Sequence, residues 1–275
     1  MGELIIEAGR ADRHYWRDLW QFRELFGFLA WRDIIVRYKQ TAIGVLWAVI
    51  RPTLTIFVGA GIFGKLAGLN YNGVPAVVSI CAATLPWYFF SSALSESAGS
   101  LVGNANLISK IYFPRMVLPA SAVVVAFVDF AVTLFILAGV MLWHHVWPTW
   151  RLCTLPFFTL LAFISAMGPG LLFTALNVKY RDFRYVIPFV VQFGQFVSPV
   201  FYTTEEVRAK FGDWGRIIIA ANPVVSVIDG FRWAICGTGS LDWPSFVVST
   251  TISLFFLFFS IQYFRKVEKS FADVI

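Results

Sequence analysis

Long apolar runs separated by short polar stretches dominate this chain. Five of them are long enough to cross a membrane as helices, which takes about 20 residues: 77–102, 116–142, 152–178, 185–204 and 243–264. A sixth run, residues 44–64, contains Arg51 followed by Pro52, which predicts a kinked span with a cation about two turns inside its start. The pattern therefore predicts an all-α integral membrane protein with six transmembrane helices.

Lysine and arginine counts predict the orientation of these spans. Residues 1–43, 103–115, 178–185 and 265–275 carry 15 of the 22 basic residues, whereas the alternate connections carry only 6. We therefore expect both termini in the cytoplasm, with a cytoplasmic N-terminal segment (1–43), a six-helix domain (44–264) and a cytoplasmic tail (265–275). The first apolar run starts late, so we expect that span, rather than a cleavable signal peptide, to direct insertion.

Two segments outside the spans carry apolar patterns. Before the first span, a helix would have one apolar face and one charged face. The apolar face carries Phe28, Trp31, Ile34, Ile35 and Tyr38. The charged face carries Arg32, Asp33, Arg37 and Lys39. This favours an N-terminal amphipathic interfacial helix, or equally a cytosolic helix packed on a partner. The loop 203–244 holds an apolar patch at residues 217–221, which predicts short re-entrant helices before the last span.

Composition excludes several function classes. The chain is 58% hydrophobic and 14% charged, against about 25% charged in soluble domains. Its net charge is +6, and the basic residues lie beside apolar runs. This favours basic residues that set the membrane topology and contact anionic lipid over a nucleic-acid-binding surface.

No catalytic, metal or nucleotide site is expected on this chain. The three cysteines are odd in number and far apart, which predicts neither a disulfide framework nor a metal site: Cys81, Cys153 and Cys236. Gly59, Gly64 and Lys65 have the spacing of a phosphate-binding loop, but Leu66 replaces the required Ser or Thr and no strand precedes them. Any ATP chemistry must then belong to another polypeptide.

Ionisable residues inside spans are candidates for function because each is costly in lipid. Three qualify: Arg51, Glu96 and Asp129. Asp129 lies midway along an apolar run, so it must face protein, a water-filled cavity or a cation such as Arg51. Structural pairing is the simpler interpretation, and a direct role in transport is the alternative.

Two predicted cytoplasmic connections carry the strongest signal. The first, NANLISKIYFPRMVLP, begins at Asn104 and predicts a short helix over 105–112 that ends at Phe113–Pro114. Leu107, Ile108 and Ile111 would form an apolar knob able to dock into a groove on a partner, or the segment is a plain loop with an interfacial helix. The second, YRDFRYVIPFVVQFGQFVSPVFY, begins at Tyr180.

These connections belong to a set of five motifs that occurs in order over about residues 20–275. The others are RYKQTAIGVLW from residue 37, ANPV from residue 221 and the terminal EKSFADVI. Together the motifs resemble the ABC-2 type permeases that export O-antigen, capsule and teichoic-acid polysaccharides.

The resemblance implies a homodimer in the bacterial inner membrane that works with a separate ATP-binding-cassette ATPase. The chain would be a transport subunit and not an enzyme, with ATP and Mg on the ATPase. The implied coupling residues are Asn104, Leu107, Ile108, Lys110, Ile111, Phe113 and Arg115, with a second contact at Tyr180, Arg181, Asp182 and Arg184. A charge in place of Ile108 is then expected to uncouple ATP hydrolysis from export.

The implied substrate is a lipid-linked, O-antigen-like polysaccharide carried on a polyprenyl diphosphate. Sugar rings stack on aromatic side chains, so the candidates for the path are Trp87, Tyr88, Phe89, Phe90, Phe193, Phe196, Phe201 and Tyr202; for each of them plain packing is the alternative. The candidates for attracting the diphosphate are Arg32, Arg37 and Lys39. Rival functions are export of a small amphipathic drug or lipid, a membrane transferase acting on lipid-linked sugars, and a non-transporting scaffold.

Overall fold

The computed structural model describes residues 15–39, 44–237 and 240–271, and its regular elements are helices. The α-helices in chain order are α1 Tyr15–Gln21, α2 Arg23–Lys39, α3 Gly44–Gly59, α4 Ala76–Gly103, α5 Ala105–Ile108, α6 Val117–Trp143, α7 Leu155–Lys179, α8 Phe183–Val197, α9 Thr204–Ala220, α10 Val225–Cys236 and α11 Trp243–Val267. A π-helical segment, Ala60–Leu66, continues α3, and a 3₁₀ turn, Trp150–Thr154, leads into α7. Residues 1–14, 40–43, 238–239 and 272–275 lie outside the described residues. They include parts of the predicted N-terminal segment and of the predicted C-terminal tail.

Five described helical segments are long and apolar enough to cross a membrane: Leu46–Leu66, Ala76–Gly103, Val117–Trp143, Trp150–Lys179 and Trp243–Val267. They overlap five of the six predicted spans. The α-helix continues through Pro52, and the departure from α-helical geometry comes later, in the π-helical segment. The helices α9 and α10 form a sixth candidate, bent by 113° between them, so the loop predicted to hold short helices is helical.

The predicted span over 185–204 is wrong in its extent. Its helix, α8, ends at Val197 and has 15 residues, which is about 22 Å at 1.5 Å per residue and short of the roughly 30 Å hydrocarbon core. Ser198 leaves the helix with an extended backbone, ψ 151°. The cause is Pro199, because a proline ring disfavours helical geometry in the residue before it. Phe201 and Tyr202 therefore lie in the turn that follows.

The helix α4 forms the centre of the bundle. In its most apolar window 83% of the residues are buried, against 22% for the first and last spans. Polar side chains fasten it to α7: Thr174 donates a hydrogen bond to the Ser97 carbonyl (2.8 Å), and Asn177 donates one to the Ala98 carbonyl (2.8 Å). Small residues and interhelical hydrogen bonds of this kind are what hold helices together in lipid.

The described ends of the chain meet at one end of the bundle. The backbone N–H of Arg115 donates to the Glu268 carboxylate (2.7 Å), and the Arg265 guanidinium lies 4.9 Å from the Tyr15 ring centre. Burial raises the pKa of Glu268 above its ordinary value. Helix α1, the loop before α6 and the end of α11 thus lie at the same end of the bundle.

The packing of α10 against α7 leaves no room for a side chain at Gly230. A Cβ there would overlap the Phe158 ring, which is itself 3% exposed. We expect Gly230→Ala to cost about 1–3 kcal/mol through overpacking and to lower the melting temperature in detergent. The matched control is Gly99→Ala on α4, where a Cβ would meet nothing within 4 Å. Equal melting temperatures for the two variants would contradict this packing.

Candidate functional site

A cluster of charged side chains joins α2 to the spanning helices. The Arg37 guanidinium donates to Glu96 Oε1 on α4 and to Asp129 Oδ2 on α6, both at 2.7 Å. The other oxygen of Asp129 accepts from the Tyr38 hydroxyl. Leu29, 1% exposed, anchors α2 in the core, so the last turn of α2 is held against α6.

Asp129 has the cationic partner that its position in a span requires, but the cation is Arg37 and not Arg51. Sequence spacing cannot show this, because the pair is 92 positions apart and forms only once α2 folds back along α6. Arg51 lies 5.9 Å from the Trp47 ring centre and forms no ion pair with a described residue.

Two of the three candidates for attracting a diphosphate, Arg37 and Arg32, are bound to other side chains within the protomer. Arg37 is bound between two carboxylates. Arg32 donates to Asp33 (2.7 Å) and to the Asn104 side chain (2.8 Å). Of the three predicted cations, only Lys39 is exposed with no ion pair among the described residues.

A cavity of about 460 Å³ opens beside the charged cluster. Its walls come from the C-terminal end of α2 and from α3, α4, α6 and α8. The polar and aromatic lining residues are Arg37, Tyr38, Trp47, Arg51, Tyr88, Ser91, Ser92, Ser95, Glu96, Asp129 and Thr133. The Tyr88 hydroxyl shares a hydrogen bond with Thr55 (2.8 Å). A polar cavity inside the spans is the kind of place where intramembrane charges serve transport.

Four of the aromatic residues predicted for a substrate path are packed inside the protomer. Trp87, Phe89 and Phe90 on α4 are 4%, 1% and 7% exposed, and Phe201 is 6% exposed. Phe201 stacks on Phe63 with ring centres 5.0 Å apart. Side chains so covered offer no face to a sugar ring within this protomer, which favours the packing interpretation for these four.

Of the remaining aromatic candidates, Tyr88 lines the polar cavity, Tyr202 is partly buried, and two are exposed. On α8, Phe193 and Phe196 are 51% and 56% exposed. They continue a stripe that sequence reasoning missed, since Tyr185 and Phe189 on the same face are 79% and 59% exposed; their spacing of four is the signal that could have found them. Tyr202 donates to the Val197 carbonyl (2.7 Å) and borders an apolar cavity of about 750 Å³ against α9.

The predicted coupling helix over 105–112 is wrong in length, since α5 is a single turn that ends at Ile108. Ile108 is 9% exposed and packs into the core with Phe113, 4% exposed. Ile111, expected on the same face as Ile108, is instead 54% exposed, together with Tyr112 at 58%. Because the helix ends after one turn, the helical repeat no longer places Ile108 and Ile111 on the same face.

The structure brings the two predicted cytoplasmic contacts together. A groove of about 400 Å³ has Val102 and Ala105 on one side and Arg181, Asp182 and Arg184 on the other. Tyr180, 48% exposed, lies beside it, with the Lys179 amine 5.1 Å from its ring centre. Lys110 is also exposed, while Leu107 is partly buried against the core.

The sequence pattern of the ABC-2 type transporter family matches residues 24–236, which include the charged cluster, the cavity and the groove. The chain belongs to the ABC-2 type transporter family. It is thus a multi-pass membrane transport subunit and not itself an enzyme. Among the described residues, no group of three or more His, Cys, Asp or Glu side chains is placed to hold a metal ion.

Its relatives cover nearly the whole chain. An O-antigen export system permease protein, RfbA, of Myxococcus xanthus is 25% identical over 94% of this chain and 98% of its own length. The RfbA protein of Klebsiella pneumoniae is 28% identical over 89% of this chain and 92% of its own. A polysialic acid transport protein, KpsM, of Escherichia coli is 21% identical over 87% and 92%.

Proposed function

We propose that this chain is the permease subunit of an ATP-binding-cassette exporter that moves a lipid-linked, O-antigen-like polysaccharide from the cytoplasm across the bacterial inner membrane. The observation that carries the proposal is the end-to-end likeness to O-antigen export permeases and to a polysialic acid transport protein, which extends over 92–98% of their lengths. The polar cavity among the spans supports it, because a sugar polymer needs hydrogen-bonding groups where lipid would offer none.

The groove between α5 and the start of α8 is the surface we assign to the ATPase. It combines an apolar edge with three charged side chains, Arg181, Asp182 and Arg184, which suits a contact that must form with a defined orientation. ATP and Mg belong to that separate subunit. In this proposal two copies of the chain form a homodimer, with both chain ends and the groove in the cytoplasm.

Export of a small amphipathic drug or lipid is the second candidate. The apolar cavity of about 750 Å³ beside α9 favours it, since pockets of roughly 300–1,000 Å³ with apolar walls are typical of small-molecule sites.

Deletion of this chain from its source bacterium tests both candidates. Surface polysaccharide should disappear, lipid-linked polymer should accumulate inside the cell, and both effects should reverse when the chain is restored. Affinity purification of the restored chain should also recover an ATP-binding-cassette subunit. If surface polysaccharide is unchanged and efflux of an amphipathic dye is lost, the second candidate is the function. If no ATPase is present in the purified complex, both candidates are contradicted.

A further inference from the structure

The residues after the last span fold back against the loop that precedes α6. Phe271 is 1% exposed, and its ring centre lies 5.5 Å from that of Phe264, which is fully buried. Between these two residues the chain forms a short 3₁₀ turn, Glu268–Ser270. Because a large aromatic side chain is buried on each side of it, this turn is held in place by the core.

The turn holds Arg115 by its backbone and by its side chain. The backbone N–H of Arg115 donates to Glu268 Oε1 at 2.7 Å, and its guanidinium donates to the Glu268 carbonyl. The guanidinium also lies 5.9 Å from the Phe271 ring centre, which is within the range of a cation–π contact. These three contacts fasten the loop before α6 to the end of α11.

Helix α1 encloses the Glu268 carboxylate from another side. Burial, followed by the neighbouring Glu268 carboxylate, raises the pKa of the Tyr15 hydroxyl. The guanidinium of Arg265 lies 4.9 Å from the Tyr15 ring centre and interacts with the same carboxylate. The Glu268 side chain is therefore surrounded by Tyr15, Arg115 and Arg265, which restricts the positions it can take.

Arg115 shares a concave surface with the exposed residues of the loop. A cavity of about 230 Å³ is lined by residues 108–113 and by Arg115. Two of its lining residues, Ile111 and Tyr112, are 54% and 58% exposed. The backbone of residues 112–114 forms no helix or strand that would fix the distance between them and Arg115. A movement of Arg115 therefore changes the surface that Ile111 and Tyr112 offer to a partner.

We propose that Glu268 is a positioning residue for ATP coupling, which holds Arg115 so that the cavity of the loop keeps the shape that fits the ATPase subunit. This inference rests on the proposed function. The property of Glu268 that matters is then the reach of its acceptor oxygen and not its charge. A side chain of equal length with an acceptor oxygen can replace it, whereas a shorter one leaves the Arg115 N–H without a partner.

The first measurement is amide hydrogen exchange of the purified full chain, followed in peptides that cover residues 109–116. Glu268→Ala and Glu268→Asp both withdraw the acceptor from the Arg115 N–H. Exchange of that amide should become about tenfold faster, as loss of a hydrogen bond to a charged group predicts. Glu268→Gln keeps the length and the acceptor oxygen and should exchange like the wild type. The control, Glu24→Ala, removes an exposed carboxylate from α2 and should change nothing.

The second measurement is surface polysaccharide in cells, compared at equal amounts of chain in the membrane. Glu268→Asp should lose export and Glu268→Gln should keep it. A role for Glu268 only as a charge partner predicts the reverse order, because aspartate keeps the negative charge near Arg115 and Arg265 and glutamine does not. If Glu268→Ala fails to fold, the comparison of the aspartate and glutamine variants still decides between the two roles.

Three outcomes would overturn the inference. One is wild-type exchange of residues 109–116 in Glu268→Asp. Another is faster exchange in that variant with full export, which would leave Glu268 a structural contact without a part in coupling. The third is export that is kept by Glu268→Asp and lost by Glu268→Gln. Hydrogen exchange requires neither ATPase nor substrate, so it separates this inference from the proposed function, which fails instead if the wild-type chain supports no polysaccharide export.

Discussion

Replacement of Arg37 by glutamine is expected to destabilise the protein and to abolish export. The guanidinium is the shared partner of Glu96 and Asp129 at 2.7 Å each, and Asp129 is only 16% exposed. Because this cluster is only partly buried, removal of its cation leaves carboxylates without a charged partner at a cost that we expect to be about 1–3 kcal/mol. The measurement is the melting temperature of the purified chain, with surface polysaccharide as the functional readout.

A second set of variants separates charge compensation from mere loss of a side chain. If Arg37 acts by neutralising the two carboxylates, Arg37→Gln combined with Glu96→Gln and Asp129→Asn should recover most of the lost melting temperature, since no uncompensated charge remains. Arg17→Gln, at an exposed position on α1, is the matched control and should melt like the wild type. A wild-type melting temperature for Arg37→Gln alone would show that the cluster does not hold α2 in place.

Hydropathy predicted most of the spans because membrane length imposes it directly. A helix that crosses lipid must be apolar over about 20 residues, and this requirement is visible without knowledge of its neighbours. The fifth predicted span failed at Ser198 for a local reason: Pro199 ends the helix, although the apolar run continues to Phe201 and Tyr202. The average composition of a window does not show that a single proline prevents the residue before it from being helical.

The candidate site was predictable in its residue types but not in its pairs. The cost of charge in lipid singled out Glu96, Asp129 and Arg51, and all three line one cavity. The partner of the two carboxylates, Arg37, comes from a segment that looked like a solvent-facing helix surface. Amphipathic pattern reports which residues share a face, and it does not report that the charged face of α2 lies against α6.

The aromatic residues show the same limit. Phe89 packs on Phe127 with ring centres 4.6 Å apart, whereas Phe193 is half exposed. Phenylalanine in a spanning helix suits protein packing and lipid equally well. Only the arrangement of helices around α4 distinguishes the two environments.

A charge at position 111 is expected to uncouple export from ATP hydrolysis more effectively than the charge at position 108 that the sequence suggested. Ile111 is 54% exposed next to Tyr112, 58% exposed, and can reach a partner. An aspartate there would put a desolvated, unpaired charge into an interface, which costs several kcal/mol of binding. Ile111→Asp should therefore recover far less ATPase on affinity purification and block export, while the chain melts at the wild-type temperature.

Ile108 supplies the contrast, because it is 9% exposed and belongs to the core. Ile108→Asp buries a charge in the protomer and should lower the melting temperature itself, whereas Ile108→Val should leave ATPase recovery intact at a cost of about 1 kcal/mol. The decisive comparison is between melting temperature and ATPase recovery in the two aspartate variants. One outcome would contradict this prediction: Ile111→Asp retains full ATPase recovery and export, while Ile108→Asp loses both without a lower melting temperature. In that case the ATPase contact lies at the face that contains Ile108, and the surface around Ile111 has no part in coupling.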